Sequence, residues 1–479
     1  MGSLHHPTDA CSIVASVACG DVDIATIIKA SLERCHLVQQ ELNPFTAIYD
    51  EDAQKQAKEA SLRLKNGAAP RPLEGVPIAI KEFTPIKGKP TTRGSAALKD
   101  AIGTDQPVLV QRLLDAGAII VARTTTPEFA HSSFTRSPLF GHTKNPFDPS
   151  RTCGGSSGGA AVAVTTGCVP LAEGTDMGGS VRIPAALSGC VGFKPSLGRI
   201  PMDILPTVFD TISHFGPLAR TIEDVKLFMN VASGPDDADI LSQISPLELE
   251  QPDFDPKALK LAVSPDLGFF EIDDDVAHAF DQALTRLADA GVELMPVDLG
   301  WGAEIVDAWY DYWCVYLAAA AEDLLADHRQ VMDPEFLALV DRGLSMSAVE
   351  FRRLDEIRTQ QWRQFSSAMK GFDALLCPTM ALPAPPIDAS EDDFTSVNAN
   401  GKLAGLDMTC MFNSIGQCPA LSVPSGLSKD GLPTAIQIIG KRFDDATTLN
   451  IGQLLQNIHG WNHISPPNMS LYSSSPKTT

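Results

Sequence analysis

A lysine that closes an apolar run and two serines set among glycines supply the reactive side chains of this 479-residue chain. Lys81 ends GVPIAIK, Ser156 lies in CGGSSGGAAVAV, and Ser180 lies in GTDMGGSVRIPAA. A serine hydroxyl is a weak nucleophile at neutral pH and needs a base nearby. A lysine supplies one only where desolvation lowers its pKa, and burial at the end of Val76 to Ile80 would do that. Gly178 and Gly179 allow backbone N–H groups to approach whatever Ser180 attacks, and VRIPAAL predicts a helix start beside it, a setting that favours an oxyanion. The three segments together read as an acyl-transfer centre without histidine.

In wording and order these segments resemble the amidase signature family. GVPIAIK is similar to the family's lysine strand, GGSSGG (154–159) to its serine-glycine core, and GTDMGGSVRIPA (174–185) to its nucleophile segment. GCVGFKPSLGRIP, FDALLCPTMALPAP (372–385) and CPALSVPSGLSKDGLPTAIQIIG (418–440) extend the likeness from about residue 20 to about 460. The resemblance implies Ser180 as the acylated nucleophile, Ser156 as a bridging serine on a cis peptide, and Lys81 as the base. It implies an oxyanion hole of the Met177, Gly178, Gly179 and Ser180 N–H groups, with Ser157, Asp176 and Arg182 supporting the site. A bridging hydroxyl donates to one neighbour while accepting from another, so Ser156 is chemically suited to relay a proton from Ser180 to neutral Lys81. The fold implied is α/β, a mixed, mainly parallel central sheet of about eleven strands surrounded by helices, in a single domain spanning 1–479.

The chain departs from the family wording in places. Glu82 stands where Asp is common, which keeps the charge and predicts no change of mechanism. Cys153 stands where proline is frequent and Thr125 where Asn is usual, and both are expected to alter the pocket wall. The stretch LGRIPMDILPTVFDTISHFGPLART lacks the serine-leucine-aspartate wording around 208–214, which weakens the case for a tRNA-dependent amidotransferase.

Each motif alone has a plainer reading. GGSSGG reads first as a flexible loop or tight helix start. It also fits G-x-S-x-G, the nucleophile elbow of α/β-hydrolases, but an elbow needs a buried strand before it, and KNPFDPSRTC has two prolines and charged residues there. A lysine after an apolar run is commonly a strand end reaching solvent. The joint order of the three segments favours catalysis.

Composition bounds the class independently. With 44% hydrophobic and 20% charged residues the chain is long enough for a large core, and its net charge of −22 offers no general basic surface to nucleic acid. No apolar run approaches the roughly 18 to 20 residues of a membrane helix, and the N-terminus lacks a basic region leading into an apolar run. A cytoplasmic protein, monomer or homodimer, is expected. The ten histidines form no tight ligand motif, so neither metal nor cofactor is implied, and the ten cysteines, with no C-x-x-C pair, read as reduced thiols.

The elements that must position these residues follow from periodicity. Residues 23–42 and 51–67 carry helical spacing. VPIAIK, DQPVLVQRLLDAG and AIIVART read as strand, helix and strand, which favours parallel pairing through a crossover, and AAVAVTTG reads as a buried helix. Residues 222–372 read as a peripheral helical and α/β lobe, and 463–479 as a disordered tail. Trp309, Tyr310, Trp313 and Tyr316 share one helical stretch and read either as core or as pocket lining. Phe83, Phe134, Phe209 and Trp313, with Met177, are the candidate apolar wall. Hydrolysis of a small apolar or aryl amide through an acyl-enzyme is expected, with ester and carbamate (urethane) cleavage by the same machinery. The alternatives are a glutamine amidotransferase subunit of a larger complex and a non-catalytic binding protein on the same fold.

Overall fold

Most of the strands are short apolar runs too brief for core helices. In the computed structural model, which describes residues 9–244, 247, 249, 255–461 and 464–467, they are β1 (Phe45–Ile48), β2 (Pro77–Lys81), β3 (Ile119–Thr124), β4 (Arg136–Ser137), β5 (Gly141–His142), β6 (Leu171–Asp176), β7 (Val191–Lys194), β8 (His214–Ala219), β9 (Lys260–Val263), β10 (Glu293–Pro296), β11 (Ala374–Pro378), β12 (Ala420–Leu427) and β13 (Pro433–Gly440). Eleven of them form one sheet in the order β1-β3-β2-β6-β8-β7-β12-β13-β11-β9-β10, and β4 with β5 forms a small hairpin. The sheet is the mixed, helix-wrapped one expected. Its parallel pairs lie on the two flanks, β3-β2-β6 and β11-β9-β10, and antiparallel pairs join the strands between. The crossover predicted from sequence is present: β2 leads through the helix Val108–Asp115 to β3, and the two strands pair in parallel.

Every residue of β2, β3, β7, β8, β11 and β13 is buried, as strands covered on both faces require. The first two predicted helices form as Ile24–Leu42 and Asp50–Lys65. The second carries Asp50, Glu51 and Asp52 in its first turn and Arg63 and Lys65 in its last, charges that complement the helix dipole. The helix Gly158–Thr165 is buried along its whole length. Its start presses so closely on the neighbouring loops that a Cβ at Gly159 would meet the Pro44 carbonyl and Thr125, so glycine is a packing requirement there.

Segment 222–372 supplies β9 and β10 to one end of the main sheet and is continuous with it. It also holds the helices Glu304–His328, Pro334–Ser345 and Ala348–Ala368, the last opened by a Ser347/Glu350 capping box. Trp313, Leu317, Ala321, Phe336 and Val340 from this segment share a buried cluster with Phe129 and Met177, which ties the helices to the reactive end of the sheet. Cys168, Cys190 and Cys377 are buried in the core, and all ten cysteines are free. Among the described residues no helix is long and apolar enough to cross a membrane. The first eight residues, with His5 and His6, and most of the 463–479 tail lie outside the described residues.

Candidate active site

Parallel pairing of β2 with β6, with Ile78 opposite Leu171 and Ala79 opposite Ala172, brings the carboxyl ends of both strands to the same edge of the sheet. Lys81 therefore meets Thr175 there, and the loop carrying Ser180 begins just beyond it. Loops at the carboxyl ends of parallel strands are the usual place for reactive groups in open α/β sheets.

The Lys81 side chain is wholly buried, and its Nζ donates to three hydroxyls: Ser156 Oγ at 2.7 Å, Thr175 Oγ1 at 2.8 Å and Ser157 Oγ at 2.9 Å. Burial lowers its pKa to about 7, against the opposing pull of Glu173 and Asp176. Neutral, the amine has two protons to give and one lone pair, so one of its three hydroxyl partners must turn and donate to it. The Glu173 carboxylate accepts the Lys81 backbone N–H at 2.9 Å and the Thr84 hydroxyl at 2.9 Å, which anchors the strand end.

Ser156 is buried and follows a cis Gly155–Ser156 peptide, as the resemblance implies. Ser157 N–H donates to the Ser180 carbonyl at 3.1 Å and so ties the two serine segments together. Ser156 and Ser180 line one cavity. Ser180, half-buried, also borders a second cavity walled by Gly178, Trp309, Tyr310 and Trp313.

The nucleophile loop is held from behind. Arg182 is wholly buried and grips Asp176 with two bonds, Nε to Oδ2 at 3.0 Å and Nη2 to Oδ1 at 2.9 Å. Burial would raise the Asp176 carboxyl, but the Arg182 charge and hydrogen bonds from Arg182 and Asn413 outweigh it and hold the group below the usual carboxylate range. Asp176 in turn accepts the Gly179 N–H at 2.9 Å and the Val181 N–H at 3.2 Å. Gly179, with φ of 121° and Thr409 packed where a Cβ would stand, needs to be glycine. The Met177 carbonyl accepts from Trp309 Nε1 at 3.0 Å, and the Gly178 carbonyl accepts from Thr409 Oγ1 at 2.6 Å.

These contacts correct one expectation: the Gly179 N–H already serves Asp176, so it is not a free oxyanion donor. The N–H groups of Met177, Gly178 and Ser180 have no acceptor among the described residues.

The residues expected to form the wall fall in different places. Phe83, Met177 and Trp313 line the first cavity. Phe134 does not: it is buried, stacked on Phe394 at 6.3 Å with Arg136 over its ring. Phe209 does not either, being 69% exposed in a loop that pairs with no strand. Cys153 and Thr125 likewise stand away from the wall, in core contacts with the Thr143 carbonyl and with Pro44 and Thr143 respectively. Glu82, next along from Lys81, takes no part in the lysine's contacts. It pairs with buried Arg123 at 3.0 Å and accepts the Thr92 N–H at 2.8 Å.

The aromatic helix face takes the pocket-lining alternative. Trp309 stacks on Trp313 at 5.9 Å and Trp313 on Tyr316 at 6.2 Å, and all three face one or both cavities, as does Tyr310. The sequence reading missed Thr175, Arg93, Phe129, Met202 and Thr409. Thr175 alone carried a signal, its place between Gly174 and Asp176 at the end of a predicted reactive segment.

Among the described residues, the one histidine and carboxylate group spaced like metal ligands is His131, Asp333 and Glu335. Asp333 caps a helix by accepting the Glu335 N–H, and both Glu335 oxygens accept from Arg136 at 2.8 Å, so these carboxylates already have protein partners.

The sequence matches the Amidase family over residues 26–449. It is 32% identical over 461 residues to an acylamidase of Rhodococcus erythropolis, covering 95% of this chain and 96% of that protein. It is 30% identical over 495 residues to one subunit of the glutamyl-tRNA(Gln) amidotransferase of Chloroflexus aurantiacus, covering 97% and 99%. The fold superimposes on a crystal structure of a bacterial aryl acylamidase of the amidase signature enzymes with a TM-score of 0.89 at 27% identity, covering 98% of this chain and 99% of that one. Family match, long relatives and shared fold agree, and the chain belongs to the Amidase family, the amidase signature enzymes, as an amide hydrolase.

Proposed function

We propose that this protein hydrolyses small apolar or aryl amides through an acyl-enzyme on Ser180, and that esters and carbamates enter the same path. The observation that carries the reading is a fully buried lysine whose Nζ stands 2.7 Å from Ser156 Oγ, with Ser156 and Ser180 in the wall of one largely apolar cavity. Ser180 attacks the carbonyl, and its proton passes through Ser156 to neutral Lys81. The oxyanion meets the free N–H groups of Met177, Gly178 and Ser180. Protonated Lys81 returns the proton through Ser156 to the leaving nitrogen, and water repeats the sequence to release the acid. Ester leaving groups need less protonation, and an attacked carbamate presents the same oxyanion.

The glutamine-dependent alternative would use the other side of Ser180. A free amino acid needs an acid for its ammonium group: in the first cavity Asp176 is already held by Arg182, whereas Glu391, Asp392 and Asp407 border the second, so the apolar reading rests on the first cavity.

Intact-mass analysis after fluorophosphonate treatment, beside amine release from a simple anilide, tests the reading. One adduct on wild type, lost together with hydrolysis in Ser180→Ala, is expected; an adduct that survives in the variant moves the nucleophile elsewhere. Turnover of short polar amides but not of anilides or carbamates would overturn the apolar preference.

The lysine also sets a pH profile. Below about 7 it is protonated and cannot accept from Ser156; above that it is free to do so. kcat/KM for a neutral anilide should therefore rise with a one-proton midpoint near 7 and level off on the alkaline side. A profile flat from pH 5 to 9 would remove Lys81 from the base role.

A further inference from the structure

Arg93 occupies the turn after β2, and the structure gives its side chain no partner of opposite charge. Its backbone is left-handed, with φ of 52°, and its carbonyl accepts the Phe129 N–H at 2.8 Å, so the residue is fixed in an orientation uncommon for a side chain of its size. The guanidinium lies 5.4 Å from the centroid of the Phe83 ring, which gives it a cation–π contact. Among the described residues no carboxylate, carbonyl or hydroxyl accepts a hydrogen bond from it. Arg93 nevertheless lines the same cavity as Ser156 and Ser180, amid Phe129, Met177, Leu205 and Leu317. Tyr316 and Ser213 belong to that wall too, and their buried hydroxyls face each other. Of the acids here, Asp176 is held by Arg182, and Asp210 accepts the Ser213 and Ile212 N–H groups and does not line the cavity.

A guanidinium offers five donors and no acceptor in a fixed plane, and half-buried Arg93 keeps them at the cavity without a protein acceptor. A planar carboxylate from a ligand matches it with two parallel bonds. We propose that Arg93 is a specificity-determining residue that pairs with a carboxylate on the substrate, so that the preferred substrates are aryl amides carrying a ring carboxylate on the half that occupies this cavity. The Tyr316 and Ser213 hydroxyls are further donors for the same group. The assignment rests on the amide-hydrolase reading of Ser180, and it narrows the substrate from any apolar amide to one with an apolar ring and an anionic far end.

Binding to the Ser180→Ala protein, which does not require turnover, tests it. Calorimetry would compare 4-acetamidobenzoate with 4′-methylacetanilide, which places the carboxylate on the amine half, and 4-(phenylcarbamoyl)benzoate with 4-methyl-N-phenylbenzamide, which places it on the acyl half. One of the two carboxylates is expected to bind about ten- to a hundredfold more tightly than its methyl counterpart. Adding Arg93→Gln should bring that ratio close to one, and Arg93→Lys should retain part of it. The ratio is read within each variant, so partial loss of folded protein does not change it. A carboxylate preference absent from both pairs, or one that survives Arg93→Gln, overturns the assignment. Wild-type hydrolysis of the same compounds separates the two claims: Arg93-dependent binding without any hydrolysis would sink the hydrolase reading and leave the carboxylate site standing.

Discussion

Replacing Lys81 with methionine should lower kcat/KM for an anilide by about 10⁴-fold or more, by comparison with what the removal of one member of a serine catalytic triad costs. That loss corresponds to roughly 5 to 6 kcal/mol of transition-state stabilisation. The double variant Lys81→Met/Ser180→Ala should be no slower than Ser180→Ala alone, because a base without its nucleophile has nothing to deprotonate. Additive losses would mean that Lys81 acts outside the serine path. Methionine keeps most of the volume and removes the amine, so stability separates a chemical loss from an unfolded protein.

The sign of the stability effect is fixed by the same burial. The folded-state pKa of Lys81 is lowered from 10.5 to about 7, so between those values the unfolded chain binds a proton that the folded chain does not. Through this group the wild type gains stability as pH rises from about 7 to about 10, and below about 7 the slope vanishes because both states are protonated. The methionine variant lacks this slope, so its urea midpoint relative to wild type should be more favourable at pH 7.5 than at pH 10. Lys194, also buried and lowered to about 7 by burial and the nearby Arg182 charge, titrates in both proteins and cancels in the difference. An equal difference at the two pH values would show that Lys81 is not held neutral by the fold.

Much of this site was legible because its requirements are local. A base on a buried strand end, a nucleophile beside paired glycines and a helix of small residues each leave a mark within ten residues of sequence, and Lys81, Ser156 and Ser180 converge as those marks suggest. The crossover from β2 to β3 was legible for the same reason. The strand order was not: β12 and β13 insert between β7 and β11, a pairing set by contacts far apart in the chain. Sequence offered Phe134 and Phe209 on aromatic character alone, yet whether a ring lines a cavity depends on which loop lies over it. Arg93 shows the converse. In TTRGS it reads as a charged residue in a solvent-facing turn, and only the left-handed backbone and the Phe129 contact turn it towards the cavity.

Substituting Arg182 with methionine is expected to cost about 3 to 5 kcal/mol of stability, the usual consequence of removing one partner from a buried ion pair. That is a large share of the roughly 5 to 15 kcal/mol that typically separates folded from unfolded protein. Arg182 also donates to the Thr409 carbonyl at 3.1 Å, Gln437 Oε1 at 2.5 Å and Asn413 Oδ1 at 2.6 Å, so its removal leaves several buried acceptors short of a donor. The largest part of the cost is Asp176, wholly buried and charged. Asp176→Asn added to Arg182→Met should therefore recover part of the loss, and a double variant as unstable as the sum of the singles would refute the ion-pair account. Lysine at 182 should rescue poorly, because one ammonium cannot reproduce the two-pronged grip. Activity should fall further than stability explains. Asp176 fixes the Gly179 and Val181 N–H groups on either side of Ser180, and a misplacement of about 1 Å at a reacting group costs on the order of 10²-fold. The fall belongs in kcat more than in KM, because the cavity walls at Phe83, Trp313 and Tyr316 are untouched; a change confined to KM would place Arg182 in substrate binding instead.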